Sequence, residues 1–153
     1  DVADAYSLSK QADEAAARAA WRRWGLDVVA LRFPHVRDAA GLRETAAAVA
    51  RDPRVMAREG WAYLDLRDAV GAIEAVLTAR FTGAHVVGVA ADDTLLDAPT
   101  PELLARYAFE VPLTRTVGPH DGLVDTRRAR ELLGFHPRHS IHRPDARPTP
   151  ETP

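Results

Sequence analysis

Tyr6 and Lys10 stand four residues apart in the run Tyr6-Ser7-Leu8-Ser9-Lys10, and Lys10 is the only lysine of the chain; every other basic residue among the 20 is arginine. A composition that avoids lysine but keeps one suggests that this position needs a compact ammonium rather than a planar, permanently charged guanidinium. On a helix, a separation of four residues puts both side chains on one face, one turn apart. A cation there stabilises a tyrosinate and draws the phenol pKa down from about 10. Such a tyrosine can act as a general acid or base. An ordinary surface lysine on the first turn of an alanine-rich helix has the same spacing, and spacing alone leaves both readings open.

The elements that must hold this pair follow from pattern. Residues 6–24 predict a helix, rich in alanine and stopped by Gly25. Residues 27–33, β-branched and apolar and closed by Pro34, predict a buried strand. A second helix is expected over 41–51, ended by Asp52-Pro53, then a short extended segment over 61–65. A third, amphipathic helix is expected over 67–81, with Val70, Ile73, Val76 and Leu77 on one face. Residues 85–90 predict another apolar strand. Thr100-Pro101-Glu102 opens a helix to about Phe109, with threonine as cap and proline at its first position. Asp125 caps a last helix over 125–133, with Gly134 at its end, and a disordered, proline-rich tail is expected over 137–153.

Strands alternating with helices indicate an α/β arrangement, with 28–31 and 86–89 expected as parallel strands flanked by helices and one sheet edge left bare. Two strands make a poor independent sheet. Residue 1 is Asp and the single methionine is Met56, so the chain is expected to be the C-terminal part of a longer protein.

Composition narrows the partners. A net charge of -2 without a basic stripe argues against nucleic acid. The chain has no cysteine, no apolar run of membrane-spanning length and no signal peptide, and a soluble, cytoplasmic chain is expected. His136, His139 and His142 lie in the proline-rich end without acidic or thiolate neighbours in sequence, so no metal site is expected.

Four motifs in order carry a resemblance. Tyr6-Ser-Leu-Ser-Lys10-Gln-Ala-Asp-Glu14 is followed by Gly25-Leu-Asp-Val-Val-Ala-Leu-Arg32-Phe-Pro-His-Val36, by Trp61-Ala-Tyr-Leu-Asp-Leu-Arg-Asp68, and by Ala129-Arg-Glu-Leu-Leu-Gly-Phe-His-Pro137. Together they resemble the second half of the extended short-chain dehydrogenases/reductases, the NAD(P)-dependent epimerase/dehydratase family. The resemblance implies that residues 1–136 form the C-terminal portion of a Rossmann-like parallel sheet, with a small, mostly helical substrate-binding part. It implies NAD or NADP as cofactor, a sugar-like or nucleotide-sugar substrate, and a homodimer in the full-length protein.

By the same resemblance Tyr6 is the catalytic acid/base, and Lys10 holds the nicotinamide ribose and lowers the tyrosine pKa. Pro34, His35 and Val36 fall near cofactor and substrate. His35 stands where many members have asparagine, which puts substrate identity in doubt; outside the family context it reads as a satisfied loop histidine. Arg58 invites a phosphate-binding role or stands as a solvated arginine, since its alignment slips by one residue. None of the nine glycines makes the Gly-x-Gly-x-x-Gly turn that anchors a pyrophosphate. Ser7 and Ser9 follow Tyr6 on its own helix and do not replace the family's upstream carbonyl-polarising serine or threonine. The chain alone is therefore expected to be inactive. The rival reading is a non-catalytic binding or dimerisation module, for which the alanine-rich stretch 12–20 allows close helix approach.

Overall fold

A computed structural model describes residues 4–107 and 112–143. Helix α1 (Ala5–Trp24) starts where the Asp4 carboxylate accepts the Ser7 N–H and stops at Gly25, whose φ of 69° lets its N–H close on the Trp21 carbonyl. Strand β1 (Val28–Arg32) follows, then β2 (His35–Arg37), α2 (Ala39–Arg51), a 3-10 turn (Pro53–Met56) and β3 (Tyr63–Asp65). The remaining elements are α3 (Leu66–Thr78), β4 (Ala84–Gly88), α4 (Thr100–Tyr107) and α5 (Arg127–Leu133). No helix among the described residues is long and apolar enough to cross a membrane.

The expected parallel pair is present. β1 and β4 run parallel in register from Val28 opposite Ala84 to Arg32 opposite Gly88. A second parallel pair joins β2 to β3, His35 opposite Tyr63 and Arg37 opposite Asp65, so the extended segment at 61–65 has a partner in residues just after Pro34. Each sheet has two strands, and no third strand joins either among the described residues. The Ala91 N–H donates to the Tyr63 carbonyl at 2.9 Å, tying the chain beyond β4 to β3.

Alternation along β3 divides the interior. Tyr63 faces a core with Leu42, Val49, Trp61, Leu95 and Leu103, whereas Leu64 faces a core with Val87, Val89, Ala129, Leu133 and Phe135.

Four expectations are corrected. Helix α3 turns Asp68, Ala69 and Ala72 inward, leaving Val70, Ile73 and Leu77 exposed with Val76 partly buried. Small side chains allow the close approach, and the larger ones are left on the outside. Helix α5 begins two residues after Asp125; the carboxylate accepts the Arg127 N–H, and Thr126 holds the cap position without a side-chain bond. Residues 137–143, expected as the start of a disordered tail, run along the protein with specific partners. The Asp68 carboxylate accepts the N–H groups of Arg138 and His139, and Ile141 N–H donates to the Tyr63 hydroxyl. The expected end of α4 at Phe109 and residues 144–153 lie outside the described residues.

The start of α4 is also built differently from a threonine cap. The Glu102 and Leu103 N–H groups donate to the Pro99 carbonyl, and the buried Thr100 hydroxyl donates to the Asp121 carbonyl at 2.9 Å.

Candidate active site

Tyr6 and Lys10 share a face of α1. The Lys10 ammonium lies 5.6 Å from the centre of the Tyr6 ring, within cation–π range, and 3.1 Å from the Asp13 carboxylate. The bond to Asp13 holds the ammonium above its ordinary pKa, with the charge of the carboxylate adding to it. Both side chains are exposed, Tyr6 at 72%. The two serines between them are occupied locally: Ser7 donates to Asp4, and Ser9 to the Tyr6 carbonyl.

One turn beyond Lys10, Glu14 meets Arg32, the last residue of β1, in a two-pronged ion pair at 2.7 and 2.9 Å. The guanidinium holds the Glu14 carboxyl below its usual range, chiefly through these hydrogen bonds. The helix face that carries Tyr6 and Lys10 is thus tied to the carboxyl end of a parallel strand.

At that end the structure has a cavity of about 460 Å³. Arg32 lines it from the end of β1, Phe33 and Pro34 from the residues just after, Val86 and Gly88 from β4, Val124 and Asp125 from the approach to α5, and Glu59 and Ala62 from the approach to β3. A Cβ at Gly88 would lie 3.0 Å from the Asp125 carbonyl, so the glycine permits the close approach that closes this wall. Ligands of open parallel α/β sheets bind beyond the carboxyl ends of the strands.

Of residues 34–36, Pro34 lines the cavity, while His35 and Val36 continue into β2. The His35 Nε2 lies 3.4 Å from the Thr45 hydroxyl, and burial, then the charge of Arg37, pushes its pKa down. Val36 packs against the second core. Arg58 is exposed in the turn before β3, and its neighbour Glu59 is the residue that lines the cavity. Among the described residues, no hydrogen bond, ion pair or ring contact joins Tyr6 or Lys10 to residues 34–36.

Two groups were not foreseen. Arg115 pairs with Asp121 and Arg127 with Asp125, each at 2.6 Å, and Arg130 pairs with Asp92 around a neighbouring cavity of about 390 Å³. Arg127, by side-chain and then backbone hydrogen bonds, lowers the Asp125 pKa to about 2. The second group centres on Tyr63, whose hydroxyl donates to Asp93 while Ser140 donates to the other carboxylate oxygen. Burial, then the bond to Asp93, raises the Tyr63 phenol above its ordinary pKa. Asp68 carried a legible signal, a charge at a position that helix α3 turns inward. The histidines read as lacking acidic neighbours gain one by folding, since His139 Nδ1 donates to Asp68 at 2.8 Å.

No family model matches this chain, and no curated protein is similar to it. Solved structures are. The UDP-N-acetylglucosamine 4-epimerase from Bacillus cereus is similar with a TM-score of 0.53 and 19% identity, over 89% of this chain and 48% of that one. The UDP-glucuronic acid 4-epimerase from Bacillus cereus in complex with NAD has a TM-score of 0.57 at 14% identity, over 91% of this chain and 49% of that one. RMD from Pseudomonas aeruginosa complexed with NADPH has a TM-score of 0.51 at 17% identity, over 89% of this chain and 51% of that one. At these identities the likeness is one of fold: a mixed α/β unit with parallel strands, matching part of a Rossmann-like enzyme fold. The chain spans about half the length of the solved structures it matches.

Proposed function

We propose that this chain is the carboxyl-terminal half of an NAD(P)-dependent epimerase, dehydratase or reductase acting on a sugar or nucleotide-sugar. In its full-length form the protein is read as a cytoplasmic homodimer, and the 153-residue chain as inactive alone. The observation that carries this reading is the order of parts. A helix bearing Tyr6 and Lys10 leads directly into the parallel pair whose carboxyl ends open the cavity, within a fold shared with two UDP-sugar 4-epimerases.

The residues present suit one end of a dinucleotide. Lys10 has three N–H donors and its bond to Asp13 uses one, which leaves donors for ribose hydroxyls. Pro34 offers an apolar wall in the cavity at the carboxyl end of β1, which neither Tyr6 nor Lys10 lines. The other end is not provided for, because no glycine-rich turn opens a helix in this sequence. A bound nicotinamide would accept and return hydride at a carbon bearing a hydroxyl. Tyr6 would take or give the hydroxyl proton, with the Lys10 ammonium stabilising the tyrosinate. Arg58, exposed beside Glu59, is the candidate contact for a substrate phosphate, and His35 and Val36 bear on the site through strand β2, which follows Pro34. In a protein completed upstream by a glycine-rich βαβ unit, Tyr6→Phe is expected to abolish turnover of a UDP-sugar while leaving cofactor affinity nearly intact. Turnover that survives Tyr6→Phe refutes the role.

The second reading is a binding or dimerisation module. It is favoured by the exposed Leu8, Trp24 and Leu26 on and just beyond α1. A completed protein that associates through α1 yet binds no dinucleotide supports it.

A further inference from the structure

Helix α1 lies on the β1–β4 pair without a single buried side chain. Its partly buried positions are Ser7, Glu14, Ala17, Arg18 and Ala20, and Trp21, 40% exposed, comes near Gly83 ahead of β4, so along most of the helix the apolar positions turned inward are alanines, with one ring in the last turn. Methyl groups provide little relief for interlocking, and a helix seated on them is poorly fixed against rolling about its axis. Each residue of roll turns a face by about 100°. What does fix the roll is polar. Among the described residues, the hydrogen bonds from α1 side chains to another element are the two that Glu14 accepts from Arg32. Glu14 is only 14% exposed, and Arg18 approaches the same carboxylate at 3.8 Å. A planar guanidinium engaging both carboxylate oxygens sets orientation as well as distance, which an ammonium cannot do.

We infer that Glu14 and Arg32 are a positioning pair, holding the roll of α1 so that the Tyr6–Lys10 face is presented to the carboxyl end of β1. This rests on the reading of Tyr6 and Lys10 as the proton-transfer pair, one and two turns before Glu14 on the same face. Arg32 supplies the other end, because it begins the Arg32-Phe33-Pro34 wall of the cavity. Neither residue of the pair touches reacting atoms; both act through Tyr6 and Lys10.

The chain has no cysteine, so a pair of spin labels can be placed without background. Labels at Gln11→Cys on α1 and Glu74→Cys on α3 report the roll as a distance distribution by double electron–electron resonance. The parent is expected to give one narrow distance. Glu14→Gln and Arg32→Lys broaden or shift it, and the exchanged pair Glu14→Arg with Arg32→Glu restores it. Asp13→Asn, which removes the exposed partner of Lys10, leaves it unchanged. Circular dichroism confirms that each variant is folded. In the protein completed upstream, Glu14→Gln lowers kcat about 10–100-fold at little cost in KM, as expected for a small misplacement of reacting groups, and the exchanged pair recovers it. An unchanged distance in Glu14→Gln overturns the proposal whatever the kinetics do. So does a broadened distance with unchanged kcat. A completed parent without turnover refutes the hydride-transfer reading instead, and the label distances then decide whether the pair sets the roll.

Discussion

The Asp68 carboxylate, on the buried face of α3, accepts the backbone N–H of His139 at 2.9 Å across 71 residues of sequence. It also accepts the Arg138 N–H and the His139 ring N–H, so one carboxylate secures the start of the segment 137–143. Asp68→Ala is expected to destabilise the protein by about 2–4 kcal/mol, since it strands donors around a buried position. Denaturant unfolding measures the loss, and hydrogen exchange at residues 138–141 should quicken more than exchange in β4. Unaltered protection of the 138 and 139 amides would show that the segment is held by something else.

The exposed stripe of α3 has a consequence for association. Val70, Ile73 and Leu77 are 48%, 47% and 79% exposed and fall on one helix face. Single exposed apolar residues are ordinary, but a contiguous patch beside strands that have an unpaired edge favours self-association. Sedimentation of the 153-residue chain is expected to show concentration-dependent association. Ile73→Lys with Leu77→Glu should reduce it with little change in stability. A monodisperse monomer at high concentration contradicts this.

The same helix shows where local sequence stops being informative. Its apolar periodicity identifies a helix but does not say which residues the sheet accepts. The sheet accepts alanines, because Ala69 and Ala72 let the backbone come close to Val87 and Val89. The long elements were legible for local reasons: Gly25 stops α1, and the β-branched runs that begin at Val28 and Val86 lie in the parallel pair, whereas the Asp4 cap was not read. Strand β2 has three residues, too few for a period to register, so the extended segment expected at 61–65 gave no sign of its partner. Composition after Pro137 indicates disorder, yet the bonds that order residues 138–141 come from Tyr63, Asp68 and Asp93, 47 to 78 residues earlier. Asp125 resembles a helix cap in sequence, but Thr126 holds that position and Asp125 binds the Arg127 N–H from one residue further out; that it also walls a cavity depends on Gly88 from another strand.

His35 gives a prediction in pH. Burial, then Arg37, lowers its pKa in the folded state, so the unfolded chain binds its proton more readily. Stability tied to the neutral ring is complete above the unfolded pKa of about 6.5 and is lost as pH falls through it toward the folded value. His35→Gln is therefore expected to flatten the decline of stability just below pH ~6.5. Denaturation midpoints across that range test it, and a mutant slope equal to the parent's refutes the coupling.

Cofactor binding separates the presence of a motif from a working site. Lys10 can contact a ribose, but its ammonium is exposed and already shared with Asp13, and a single such contact does not hold a dinucleotide. The pyrophosphate needs a row of backbone amides at a helix start, and the nine glycines of this chain form no such turn. Calorimetry with NAD(H) or NADP(H) at submillimolar concentration is therefore expected to show no binding to the 153-residue chain. Completion upstream by a glycine-rich βαβ unit should restore binding and turnover together, because positioning of the reacting groups supplies up to ~7–11 kcal/mol of the barrier reduction. In that protein Lys10→Ala should weaken both affinity and turnover, unlike Tyr6→Phe, since it would remove the proposed ribose contact along with the cation beside the phenol. Tight dinucleotide binding by the chain alone would require an anchor that its sequence does not contain, and would overturn the assignment of Lys10 and Pro34 to one end of a larger site.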